Sequence, residues 1–385
     1  MRLLITYLLC FASISVNSQT LVELFSGMDG LTISEDGSLL PYWGYGYLSE
    51  GQMSLPAPLL TFDLGEDVEL YFENPSPESH TIHLHGLDVD QANDGVPSTS
   101  FMVPFGGSGS YFFEATFPGT YLYHCHVTTT LHLTMGMYGM IVINYSDDQL
   151  FEEGPMFDKE YPFLFSDCER AVNDFPAGAF PFHEIRPDYF MVNGKSGTQL
   201  EDASGLQVIY EEGDDVALRL GNIGYSKVVV QFESEHNAVA WMSDGRELPE
   251  PISLSALEIY PGERFSVIIA PNNGTTTPIE VEYYSMVNRE LESVNSIPLI
   301  IDDSFIDENN GQDYLTIYPN PGIGLFHFES KDGGILRVLA SDGREVLQKT
   351  ILVGKNQLDF SQLSPGTYLI KVNDHPSQEL IITDR

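Results

Sequence analysis

The chain has 385 residues, enough for two or three domains that each bury a core of their own. A hydrophobic share of 42 %, with 23 Phe and 20 Tyr, excludes a disordered chain. With 17 Lys and Arg against 56 Asp and Glu the net charge is −39, which excludes nucleic acid as a natural partner because phosphate binding needs the opposite field.

Residues 1–18 carry Arg2, an apolar run from Leu3 to Val16 and the ending Asn17-Ser18, the pattern of a signal peptide. The run is too short to span a bilayer and nothing later in the chain looks transmembrane, so no membrane anchor is expected. Cys10 follows Leu8 and Leu9 rather than a small residue, which argues against a lipoprotein cleavage site. An exported protein follows.

Beyond the leader, Gly and Pro recur at short intervals and an all-β protein is expected. In the first stretch, 19–148, Val68, Leu70 and Phe72 alternate with polar neighbours before an Asn-Pro turn. Similar alternation recurs in SGSYFFEATF, GTYLYHCH and GMYGMIVINY. Six of the ten histidines fall in this stretch, in two clusters: His80, His83 and His85, then His124 and His126 around Cys125, with His132 close behind. Strand alternation puts His83 and His85 on one face, and likewise His124 and His126, while Cys125 points to the other. Two metal sites joined through one strand are expected.

The Cys125 side can supply two imidazoles, a thiolate and a weak thioether from His80, Cys125, His132 and Met137, the donor set of a blue copper centre. Met135 is a rival for the thioether. Cys125 could instead pair with Cys168, the one other cysteine left after leader removal, but the flanking histidines argue for a metal thiolate.

The segment HCHVTTTLHLTMGMYG resembles the blue-copper loop of laccase-type multicopper oxidases and of copper nitrite reductases, with Met137 five positions after His132. The resemblance implies a cupredoxin domain, copper as cofactor, and His83, His85, His124 and His126 as one half of a type 2/type 3 copper cluster that reduces dioxygen. It also implies that Asp94 of the DGVP turn relays protons; the plain alternative is an Asp-Gly turn. The Cys125-to-His132 spacing of seven departs from both families. Nitrite reductases carry an aspartate where His83 stands and no histidine after the copper cysteine, so His83 and His126 favour an oxidase. Its partners would be dioxygen and a phenol, an aromatic amine or a reduced metal ion.

The second stretch, 155–302, repeats short strands and resembles the second cupredoxin-like domain of the same oxidases through Asn193-Gly194, Gly213-Asp214, Leu218-Arg219-Leu220 and the turn from Pro261 to Arg264. Both domains are expected as Greek-key β-barrels or sandwiches. This stretch holds only His183 and His236, so the second half of the cluster is not encoded in the usual way. Three alternatives follow: two copies of the first domain complete it as a homo-oligomer, the chain holds a smaller copper site with altered chemistry, or the protein is a blue copper electron carrier.

Residues 303–313 read as a polar linker, and 314–385 as a small β-sandwich. Tyr318-Pro319-Asn320-Pro321, Ser341-Asp342-Gly343-Arg344 and Leu363-Ser364-Pro365-Gly366 resemble the C-terminal sorting domain of type IX secretion. This implies export through the periplasm to the cell surface or medium.

Overall fold

A computed structural model describes residues 19–382 except 179–181, 183–184, 203–204, 303–314, 319–324, 331–332, 341–343, 361, 365 and 374–377. The leader at 1–18 and the linker at 303–313 lie outside the described residues. The chain divides into two compact units, one ending at Asp302 and the other beginning at Asp303. Both are all-β.

The first unit opens with a sandwich of eight strands: β1 (Thr20–Ile33), β2 (Leu39–Tyr47), β3 (Leu60–Asp63), β4 (Asp67–Asn74), β5 (His83–His85), β6 (Gly107–Glu114), β7 (Gly119–His124) and β8 (Tyr138–Asn144). One sheet has the order β2-β1-β4-β6 and the other β3-β8-β7-β5. The alternation along β4 buries Val68, Leu70 and Phe72 against Tyr45, Tyr111, Tyr123, Ile141 and Ile143. Strands β1 and β2 lie in a stretch where alternation predicts none, because glycines interrupt it. Their use is close approach: a Cβ on Gly46 would stand 1.9 Å from the Gln52 carbonyl oxygen.

The register of β7 decides the rest. Tyr121, Tyr123 and, just past the strand, Cys125 turn into the sandwich core. Leu122 turns outward and joins Tyr138, Met140 and Val142 in a cluster with Leu164 and Ile223 of the second sandwich. Every residue of β7 is therefore buried, although only one of its faces looks into its own core.

A short helix, α1 (Thr129–Met135), interrupts the loop after Cys125 where no helix is expected from the sequence. It ends at Gly136, φ +112°, and the Met137 N–H donates to the His132 carbonyl at 2.9 Å. This turn carries His132 inward and returns the chain to β8.

The second sandwich comprises β9 (Lys159–Cys168), β10 (Tyr189–Val192), β11 (Val208–Tyr210), β12 (Val216–Asn222), β13 (Lys227–Gln231), β14 (Val239–Ser243), β15 (Arg246–Ser253), β16 (Ala256–Ile259), β17 (Arg264–Ile269), β18 (Ile279–Tyr284), β19 (Leu291–Ile297) and β20 (Leu299–Ile301). Its main sheets run β10-β9-β12-β17-β14-β15 and β16-β13-β18-β19 around a core that includes Phe163, Val216, Leu218, Val230, Val267 and Val281. In the second unit, strands between Leu315 and Ile382 form a three-stranded and a four-stranded sheet around Phe326, Phe328, Leu336, Val338 and Ile370. Among the described residues no helix is long and apolar enough to cross a membrane.

Candidate metal centre

Pairing of β5 with β7 brings the two histidine clusters together: His83 lies directly opposite His124, and His85 opposite Leu122. Period-2 alternation then sorts the donors. His83, His85 and His124 share the outward face, and Leu84, Tyr123 and Cys125 share the inward one.

On the inward face His80, Cys125 and His132 are fully buried. The Cys125 Sγ stands 3.1 Å from His132 Nδ1 and 3.7 Å from His80 Nδ1, and the two rings are 5.0 Å apart. His80 reaches this point because its backbone pairs with Val103. Met137 is the cross-strand neighbour of Cys125, whose N–H donates to the Met137 carbonyl at 3.1 Å. Cross-strand neighbours project to the same side of a sheet, which places Met137 on the thiol's side. Met135 is also buried, at the end of α1.

Three soft or borderline donor atoms converging in an apolar core suit a metal ion that takes imidazole and thiolate. The buried Nε2 atoms of His80 and His132 have no hydrogen-bond partner among the described residues. Glu78 Oε2 approaches His132 Nε2 at 3.4 Å, outside hydrogen-bonding geometry, and Trp43 stands edge-on to the same ring at 5.3 Å.

On the outward face the His83 ring lies 5.0 Å from His124, 5.7 Å from His85 and 5.2 Å from His126. Donor atoms of His83, His85 and His124 fall within 4.8 Å of one another. His126 joins by its ring contacts with His83 and His124 and is not part of that tight triad. Backbone carbonyls settle two tautomers, since they only accept. His124 Nδ1 donates to the Cys125 carbonyl at 3.0 Å, and His83 Nδ1 to the Asp94 carbonyl at 2.6 Å. Both rings therefore present a bare Nε2 lone pair, the arrangement that metal-binding histidines show. His85 Nδ1 sits 3.3 Å from this bare His124 Nε2 and can donate a hydrogen bond to it in the absence of metal.

Asp94 meets His83 twice, through its carbonyl and through Oδ1 at 3.3 Å. The DGVP turn can press this close because Gly95 has φ +74° and no side chain; a Cβ there would lie 2.0 Å from the Ile82 carbonyl oxygen.

Burial sets the protonation of these groups. It pushes His80 down to about 3, with His132 adding to the effect, and His124 down to about 3. His85 falls to about 4 through burial and then the neighbouring Arg264 guanidinium. The Cys125 thiol is raised by burial, so without metal it holds its proton and a bound metal displaces it.

A pH prediction follows for the metal-free protein. Folded values below the ordinary imidazole value of 6.5 mean that, below that pH, the unfolded chain takes protons first. These three groups therefore favour unfolding progressively as the pH falls from about 6.5 toward 4, and cost nothing above it. Imidazole titration by NMR checks this: the His80 and His124 rings stay neutral at pH 5, and a ring that protonates near 6.5 contradicts the burial.

Elsewhere, His236 is buried with both nitrogens engaged: Nδ1 accepts from the Glu233 N–H at 3.1 Å and Nε2 donates to the Thr277 carbonyl at 2.9 Å. It is a structural histidine. His183 lies outside the described residues. Cys125 and Cys168 are both free and buried. Residue order does not mark Glu78, Trp43 or Arg264 as site residues; Glu78 precedes His80 by two positions, the one local signal among them.

Comparison with known proteins agrees with this arrangement. A multicopper oxidase family profile matches residues 49–148 and a second matches 166–299, together more than half of the chain. A secretion system C-terminal sorting domain profile matches 316–383. The copper-containing nitrite reductase of Neisseria meningitidis serogroup B is 28 % identical over 196 residues, 49 % of this chain and 46 % of that protein. Copper resistance protein A of Escherichia coli is 33 % identical over 140 residues, 36 % of this chain and 22 % of that protein. The chain thus spans about half the length of the nitrite reductase and less of the resistance protein. Among solved structures, the blue copper oxidase of Nitrosomonas europaea superposes with a TM-score of 0.59 at 25 % identity, over 76 % of this chain and 89 % of that one. With Cys125, His80 and His132 gathered on one side of the sheet at the end of β7, four histidines gathered on the other, and both sandwiches matched, the chain belongs to the multicopper oxidase family and ends in a secretion sorting domain.

Proposed function

We propose that this is an exported copper-dependent oxidase in which His80, Cys125, His132 and Met137 hold a blue copper and His83, His85, His124 and His126 hold type 2/type 3-like copper. The observation that carries the reading is the strand end His124-Cys125-His126, whose thiol faces one donor set while its neighbouring imidazoles belong to the other. Copper supplies one-electron redox chemistry at both places. The residues supply the route: an electron accepted near Cys125 reaches the histidine face through one residue of backbone on either side. The cross-strand relation of Met137 to Cys125 favours it over Met135 as the thioether donor. Asp94, already against His83, is suited to carry protons to that face. Its partners are dioxygen and a reducing phenol, aromatic amine or metal ion. His83 and His126 speak against nitrite reduction.

The second sandwich offers His236 alone among its described residues, and that ring is committed to hydrogen bonds. Two readings follow. In the first, two copies of the first domain, 19–148, face each other and pool their four histidines in an isologous homo-oligomer. In the second, the site stays half-built and the protein carries electrons without reducing dioxygen. Copper stoichiometry with absorption and spin-resonance spectra on the mature protein separates them. A blue copper on each chain plus a cluster shared by two chains supports the oxidase; a monomer with one blue copper and no oxygen uptake supports the carrier.

The sorting domain at 314–385 acts as an export address, passed through the periplasm and dispensable for redox chemistry. It forms a compact unit with its own core. Ending the chain at Asp302 is expected to leave the visible spectrum unchanged and retain the protein in the periplasm. A folded truncation that loses the blue band contradicts this.

A further inference from the structure

The turn from Pro261 to Arg264 is a landmark of the second domain to which the proposed chemistry gives no task. It packs on the histidine face. Arg264, only 4 % exposed, opens β17 and is held from several sides. Its Nη1 donates to the Gly262 carbonyl at 2.8 Å and pairs with Asp244 Oδ1 at 2.8 Å, and its Nε meets the Thr120 carbonyl at 3.3 Å. Thr120 belongs to β7, the strand that ends in His124.

Two glycines record how closely the turn fits. A Cβ on Gly86, the residue after His85, would stand 2.2 Å from Arg264 Nη2, so a side chain there would displace the guanidinium. A Cβ on Gly262, φ +91°, would stand 3.2 Å from His85 Cε1. The His85 ring is thus bounded by His124 on one side, 3.3 Å from Nδ1, and by the second-domain turn at Cε1.

We propose that Arg264 is a positioning residue for the histidine-face metal site, fixing the turn that holds the His85 ring and tying the backbone of β7 to it. This rests on the reading that His83, His85 and His124 bind copper. It assigns a task to a domain whose one described histidine, His236, is committed to hydrogen bonds: it walls the site from the His85 side. Removing the guanidinium leaves a gap beside Gly86 and releases both the Gly262 carbonyl and the Asp244 carboxylate, and His85 gains orientations that do not converge with His124. Outer residues that orient metal-binding histidines typically change affinity by about 10- to 100-fold.

The test is copper titration of full-length wild type, Arg264→Ala and Arg264→Lys against a competing chelator, with absorption and spin-resonance spectra. The Ala variant is expected to keep the blue band while its non-blue copper binds about 10-fold more weakly or worse. The Lys variant keeps the cation but cannot satisfy the same acceptors, and is expected to bind between the two with altered hyperfine splitting of the non-blue signal. An Ala variant with an intact blue band and wild-type affinity and splitting overturns the proposal. Should Ala lose the blue band as well, Lys decides: an unchanged non-blue signal overturns it, and an altered one with the blue band intact supports it. Wild type that binds no non-blue copper overturns the metal reading of the histidine face, and this proposal falls with it.

Discussion

Replacing Cys125 by serine is expected to abolish the intense visible absorption of the copper-loaded protein completely. That absorption needs a thiolate bound to copper, and Cys125 Sγ is the one sulfur donor with two imidazole nitrogens at 3.1 and 3.7 Å among the described residues. A serine hydroxyl is a hard, weak donor and cannot replace it. Folding should survive with a moderate loss, because the change is one of small volume, although a buried hydroxyl left without a partner costs about 1–3 kcal/mol. The two cysteines sit in separate apolar clusters, Cys125 in the core of the first sandwich and Cys168 beside Leu40 and Met191. Mapping that finds them joined in the copper-loaded protein, or a serine variant that stays blue, overturns the assignment.

His83→Ala is expected to bring dioxygen reduction down to background while the blue band stays. Its ring is the hub of the outward face, in contact with His85, His124 and His126, so its removal opens the middle of the donor set. The blue site keeps its donors, because these lie on the opposite face of the sheet. Asp94→Asn should do less. The backbone carbonyl of Asp94 still accepts from His83 Nδ1 at 2.6 Å, so the ring stays oriented, and what is lost is the carboxylate at 3.3 Å. Its effect should appear as a changed pH dependence of oxygen uptake with copper content unchanged. Activity that survives His83→Ala with full copper loading removes the histidine face from the reaction. An electron carrier shows no uptake in either form, and the wild-type measurement identifies it.

Much of this architecture is legible in residue order because it depends on local periodicity. Alternation along β4 announces Val68, Leu70 and Phe72 as core, and the same period separates Cys125 from His124 without knowledge of any partner strand. The spacing from His132 to Met137 marks the donor loop, although the helix α1 within it does not show, since seven residues with three threonines carry little helical preference of their own. Strands β1 and β2 escape for a related reason: their glycines serve close backbone approach instead of an alternating pattern.

Residue order by itself determined which side chains lie on which of the two faces of one strand, and the all-β class of the chain. Only the tertiary structure decided which of those side chains meet and what confines them. The register that sets His83 against His124 joins residues far apart in the chain, and no period in the sequence reports it. The same holds for Glu78 and Trp43 beside His132, for Asp94 folded onto His83 across Gly95, and for the second-domain turn that brings Arg264 to Gly86 and Gly262 to His85. Periodicity is a property of neighbours along the chain, whereas these contacts depend on how separately folded sheets pack, and packing is settled by the shape and charge of surfaces that exist only after each sheet has formed.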